Sequence, residues 1–124
     1  MTVELEAATP VLSVEDYPRA KAFYMDMLGF EVHEEGGDPP RFGIFRNGRA
    51  QIFLNAWSGP DPRSHDGWRV YLHTADVDAL AAQLSGRDVT IVAGPTSQSY
   101  GMREIEIDDP DGNRLCFGHD LDDA

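Results

Sequence analysis

Glu104 and Glu106 alternate with Ile105 and Ile107 near the end of the chain. On a strand, that spacing sends both carboxylates to one face of a sheet and both isoleucines to the other. A carboxylate face pairs with ammonium or guanidinium groups. The same alternation sets Arg69, Tyr71 and His73 against Val70 and Leu72, and Gln51, Phe53, Asn55 and Trp57 against Ile52 and Leu54. Phe42, Trp68, Tyr100 and Met102 flank these strands. Aromatic faces stack flat rings and attract cations, so these residues suit a large, flat, basic molecule in a mostly apolar pocket. Bond-making groups are scarcer. The histidines at 33, 65, 73 and 119 show no i, i+2 or i, i+4 ligand spacing, so His73 reads as a hydrogen-bonding residue of the cleft wall rather than a metal ligand. Cys116 has no activating base beside it and reads as a buried, inert thiol.

These residues need two hairpins to hold them. One runs over 102–108 and 113–118 around Asp109-Pro110-Asp111-Gly112, where Asp-Gly predicts a type I′ turn. The other runs over 42–46 and 50–57 around Asn47-Gly48. Each is preceded by the same series: an apolar strand (9–14, then 68–73), an Asp cap (Asp16, Asp76), an amphipathic helix, a glycine stop (Gly29, Gly86) and a short strand (30–35, then 89–92). The helix stripes are Ala20, Phe23, Tyr24, Met27 and Leu28 in the first copy, and Val77, Leu80, Ala81 and Leu84 in the second. The chain is a two-fold repeat with a period of about 60 residues, the length of one βαβββ module rather than of a solenoid repeat. The expectation is an α+β fold: tandem βαβββ modules forming an open, curved mixed sheet with helices on the convex side. Residues 1–124 make a single domain, with module one at about 7–57, a Gly, Pro and Ser linker at 58–67 holding a solvated His65, and module two at about 68–119. Residues 93–99 are expected to be a loop, and the acidic end from 119 onwards to fray.

Composition narrows the partners. With 22 acidic and 10 basic residues among 124, the net charge of −12 argues against nucleic acid, which needs a basic footprint. Acidity favours solubility or steers cations. The single cysteine excludes an internal disulfide. Residues 1–8 carry Glu4 and Glu6 with no basic, apolar leader, and no run reaches membrane-spanning length, so a soluble cytoplasmic protein is expected.

Asp16, Phe23-Tyr24, Leu28-Gly29-Phe30, the run Asp76-Val77-Asp78-Ala79-Leu80 and Asp109-Pro110-Asp111-Gly112-Asn113 together resemble the vicinal oxygen chelate superfamily over nearly the whole chain. That group includes glyoxalase I, extradiol dioxygenases, fosfomycin-resistance enzymes and bleomycin resistance proteins. Tyr100-Gly101-Met102-Arg103-Glu104, the turn that follows, Phe117-Gly118 and the opening Pro10-Val11-Leu12 are most similar to the bleomycin-binding branch.

The superfamily's enzymes hold a divalent metal on the concave face, and the resemblance implies ligand positions at Thr9, Arg69 and Cys116, with Gln51 or Phe53 at the hairpin position. None is the expected ligand type, and a guanidinium repels a cation, so no metal and no cofactor are expected. What the resemblance implies instead is a dimer that sequesters a basic, aromatic antibiotic of the bleomycin type in grooves at the subunit interface. Tyr100 stands where that branch often has Trp. The candidate ligand-binding residues are thus Phe42, Phe53, Asn55, Trp57, Trp68, Arg69, Tyr71, His73, Tyr100, Met102, Glu104, Glu106 and Cys116. The alternatives are a glyoxalase- or dioxygenase-type enzyme using His73 with Glu104 or Glu106, and a relative that binds an unrelated metabolite.

Overall fold

The computed structural model describes residues 1–58 and 67–122. Its first module runs β1 (Val11–Ser13), helix α1 (Tyr17–Ala22), β2 (Glu31–Gly36), β3 (Phe42–Asn47) and β4 (Ala50–Asn55). The second runs β5 (Val70–His73), α2 (Val77–Gly86), β6 (Ala93–Ser97), β7 (Met102–Asp108) and β8 (Arg114–Asp120). Each module closes a four-stranded mixed sheet, ordered β1-β4-β3-β2 and β5-β8-β7-β6. The first strand of each module pairs parallel to the last, Leu12 beside Leu54 and Leu72 beside Phe117. The α+β repeat read from the sequence is the fold. The expected linker at 58–67, with His65, falls almost wholly outside the described residues, as do the last two positions of the acidic end.

Both helices start as their caps dictate. The Asp16 carboxylate accepts the Arg19 amide at 3.2 Å and the Asp76 carboxylate the Ala79 amide at 3.1 Å, each satisfying a first-turn N–H. Pro18 fits the first turn of α1, where no intrahelical donor is lost. The helix then widens into a π-type turn over Phe23–Met27, and Gly29, at φ +74°, turns the chain into β2. The buried stripe packs on one side of the sheets: Tyr24, Phe45 and Leu54 from the first module join Leu84, Ile105 and Leu115 from the second in one continuous core.

The turn at 109–113 binds the modules together. Tyr24 donates its hydroxyl to Asp109 Oδ2 at 2.8 Å, Asn113 Nδ2 donates to that oxygen at 2.9 Å and to the Ser13 carbonyl at 3.0 Å, and Asp111 Oδ1 accepts the Glu15 amide at 2.9 Å. Burial holds the Asp109 carboxyl above the usual carboxylate range, against the lowering effect of its donors.

Several local expectations are corrected. The strand expected at 89–92 lies at Ala93–Ser97, in the stretch expected to be a loop. It is a fully exposed edge strand, where Pro95 removes no needed donor, and its register shifts between Ala93 and Thr96. Gly94, at φ +88°, brings its backbone against the Glu104 carbonyl so closely that a Cβ would collide with it. Gly86 does not stop α2: it is the last helical residue, Arg87 caps the end, and the left-handed residue is Asp88, at φ +62°. The Asp-Gly turn is not a two-residue type I′ turn. Asp108 pairs with Arg114 across a five-residue connection in which only Gly112 has positive φ, because Asp109 folds its side chain onto the amides of Asp111 and Asn113. Nor does the chain fray at His119: β8 continues to Asp120, and His119 Nδ1 accepts the Val77 amide at 2.9 Å at the start of α2.

Candidate functional site

Opposite the core, the strand alternation presents a second face on each sheet. In the first module it carries Phe42 and Ile44 on β3 and Gln51, Phe53 and Asn55 on β4. Trp57 stacks on Phe42 with centroids 5.5 Å apart and planes 6° apart, and Phe53 meets Phe42 at 5.3 Å. The indole lies over the Gly36-Gly37 turn, where a Cβ on Gly36 would come within 3.2 Å of it. Asn55 Oδ1 accepts the Trp57 amide at 3.1 Å and so fixes the backbone that presents the indole. Trp57 is still 54% exposed.

The second module carries Tyr71 and His73 on β5, Cys116 and Gly118 on β8, and Met102, Glu104 and Glu106 on β7. Trp68, 46% exposed, meets Tyr71 edge-on at 5.2 Å, and Tyr71 meets His73 at 5.0 Å. No described ring contact joins this set to that of the first module. Arg69 is half-buried just before β5, its amide donating to the Arg114 carbonyl at 2.7 Å. Between the modules, Pro10, Arg49, Gln51, Val70, Tyr71 and His73 line a cleft of about 560 Å³.

The two glutamates differ. Glu106 lies 3.4 Å from Arg114, which also grips Asp108. Glu104 is only 4% exposed, so the expected acidic wall is not an exposed pair of charges. Its Oε1 accepts the Tyr100 hydroxyl at 2.6 Å, and its Oε2 is buried without a hydrogen-bond partner. That charge-assisted bond, with burial second, pushes Tyr100 up to about 12.

Tyr71 lies across Gly118, where a Cβ would collide with its hydroxyl. That hydroxyl is buried and has no hydrogen bond of good geometry. Burial first, and the nearby Glu104 carboxylate next, raise its pKa well above the tyrosine range. Cys116 beneath is fully buried, its thiol pushed up to about 12 by burial first and then by the charges of Glu104 and Glu106.

The superfamily's metal positions do not fit a divalent cation. Thr9 Oγ1 accepts the Gln51 amide at 3.0 Å, Arg69 is itself a cation, and Cys116 is the chain's one cysteine, free and fully buried. No group of three or more His, Cys, Asp or Glu among the described residues is placed to hold a metal. His73 has no described hydrogen bond to Glu104 or Glu106; its described contact is the Tyr71 ring. Sequence reasoning missed Gly118, whose missing side chain seats Tyr71, and Arg114, whose place on the same face as Cys116 and Gly118 follows from the same alternation. No helix among the described residues is long and apolar enough to cross a membrane.

The family model described as the Glyoxalase/Bleomycin resistance protein/Dioxygenase superfamily matches residues 7–117. Among solved structures, TnmS3, an antibiotic binding protein from Streptomyces sp. CB03234, is 30% identical with a TM-score of 0.74, covering 95% of this chain and 99% of its own. A glyoxalase/bleomycin resistance protein from the same strain is 31% identical at TM-score 0.70, covering 90% and 100%. A superfamily member from Sphaerobacter thermophilus DSM 20745 is 27% identical at TM-score 0.72, covering 91% and 97%. No curated protein matches the chain.

Proposed function

This chain belongs to the glyoxalase/bleomycin resistance protein/dioxygenase superfamily, and from that premise we propose that it is a metal-independent binding protein of the bleomycin resistance type. It sequesters a flat, cationic small molecule of the bleomycin class in the cytoplasm, in a groove completed by a second copy of the chain. One observation carries this reading: each sheet's inner face presents a half-exposed tryptophan backed by further rings, and the same surface holds Glu104 and Glu106. The relative described as an antibiotic binding protein supports an antibiotic as the ligand.

Sequestration needs no bond to form. Each well-placed ring is worth about 1–3 kcal/mol to a stacked heteroaromatic ligand, and carboxylates add selectivity for positive charge. The chain's net charge of −12 speeds the encounter with a cation. A second chain would cover ring surface that one copy leaves open.

The test is a titration of intrinsic tryptophan fluorescence with metal-free bleomycin in the presence of EDTA, at low and moderate salt. The expected result is saturable quenching at one ligand per chain, weaker at higher salt. An unchanged signal into the high micromolar range contradicts the reading.

A further inference from the structure

Glu104 is the outlying charge of the molecule. It is 4% exposed, the groups that reach its carboxylate, Tyr100, Tyr71 and the Cys116 thiol, are all neutral, and no described ion pair reaches it. A buried carboxylate without a cation is costly, and folding normally avoids it by pairing, as Glu106 does with Arg114. The Tyr71 hydroxyl lies beside it, buried and without a hydrogen bond of good geometry, its nearest charged group being Glu104 itself. Gly118, directly opposite Glu104 in the ladder, leaves room for that hydroxyl. Two buried oxygens, one an acceptor only and the other able to accept as well as donate, thus lie together with no described cation beside them.

We propose that Glu104 Oε2 and the Tyr71 oxygen form the docking point for one protonated amine of the ligand, and that this pair sets the preference for a cation over a neutral molecule of the same shape. The inference rests on the ligand-binding reading above and deepens it. The ammonium donates one N–H to Oε2 and a second to the Tyr71 oxygen. The flat part of the ligand lies on Trp68, whose ring already touches Tyr71. Tyr71 is only half-buried, so a small outward shift from Gly118 opens the way to Oε2, while Tyr100 continues to hold Oε1 from the other side. Glu106, already neutralised by Arg114, contributes little to the preference.

The test uses two probes of one shape, 9-aminoacridine as the cation and acridone as the neutral molecule, titrated at pH 7 against the wild-type chain, Glu104→Gln, Tyr71→Phe and Glu106→Gln. The wild type is expected to prefer 9-aminoacridine by at least about tenfold, since one charge-assisted contact is worth that much or more. Glu104→Gln should abolish the preference chiefly by weakening 9-aminoacridine, Tyr71→Phe should reduce it several-fold, and Glu106→Gln should reduce it less than either. Equal binding of both probes by the wild type, or an undiminished preference in Glu104→Gln, overturns this inference alone. Binding of neither probe by the wild type overturns the ligand-binding reading and this inference with it. A measurement without ligand guards against a variant that folds poorly. Relieving the unpaired carboxylate should raise the melting temperature of Glu104→Gln by about 3–6 °C, and Tyr71→Phe should not lower it. A fall in melting temperature for both variants shows that these groups are satisfied in the fold and overturns the inference.

Discussion

The two modules share a topology and use their inner faces differently. Both lay a tyrosine across a glycine in a sheet, but on opposite sides. In module one, Tyr17 rises from α1 and covers Gly43 on the core side, its hydroxyl donating to Glu35 Oε2 at 2.8 Å, an oxygen that also accepts from Lys21 at 2.9 Å. No buried side-chain polar atom there is left without a partner, and the residue is structural. In module two, Tyr71 comes from a strand and covers Gly118 on the inner face, beside a glutamate, and both leave a polar atom unsatisfied. The same packing device closes a core in one half and, in the binding role proposed above, leaves a recognition surface open in the other.

The sharpest way to break this comparison is to fill both glycines. Gly43→Ala drives a methyl group into the Tyr17 hydroxyl and the Phe45 ring, in a region that cannot relax, and should cost about 2–4 kcal/mol in urea unfolding. Gly118→Ala meets only a half-buried tyrosine that can swing outward. It should cost about 1 kcal/mol yet weaken ligand binding strongly. Equal stability losses at the two sites, with binding intact in Gly118→Ala, would erase the distinction.

Next in size is the joint between the halves. Tyr24→Phe removes one donor from buried Asp109 and should cost about 1–3 kcal/mol, read as a lower urea midpoint with no change in ligand stoichiometry. The tryptophans come third. Trp57→Ala and Trp68→Ala should each weaken binding by about tenfold with little effect on stability, because both rings are half-exposed.

The smallest effect is the pH dependence that Glu35 adds in module one. Hydrogen bonds from Lys21 first and Tyr17 second hold Glu35 below the usual carboxylate range. Because the folded-state value is depressed, this contribution is present above the unfolded value of about 4.3 and is lost as pH falls through the folded one. The group is largely open to solvent, so Glu35→Gln should lower stability at pH 7 by only a few tenths of a kcal/mol. The gap to wild type should close as pH falls below the unfolded value and through the folded one, measured as paired urea midpoints.

The repeat, the caps and the core faces were legible in the sequence because each rests on local rules. Asp16 and Asp76 cap, Gly29 turns the chain, and the alternation around Ile52 and Ile105 sorts core from inner face. The β6 edge was hidden because Gly94 and Pro95 read as loop residues, and only pairing with β7 makes them a strand. The five-residue turn was hidden for a related reason: Asp109 is held by Tyr24 from 85 positions away. The candidate site was half legible. Its residue types and faces followed from alternation, whereas the difference between Glu104 and Glu106 depends on Arg114, Tyr100 and Gly118 meeting them in three dimensions.

The measurement closest to the central claim is an amide and indole chemical-shift map of the labelled chain titrated with metal-free bleomycin in EDTA. The predicted result is a contiguous set of shifts at the Trp57 and Trp68 indoles and along β5, β7 and β8, including Tyr71 and Glu104. Shifts confined to the helical side around α1 and α2, or none at saturating ligand, would contradict the assignment of the inner face as the binding surface.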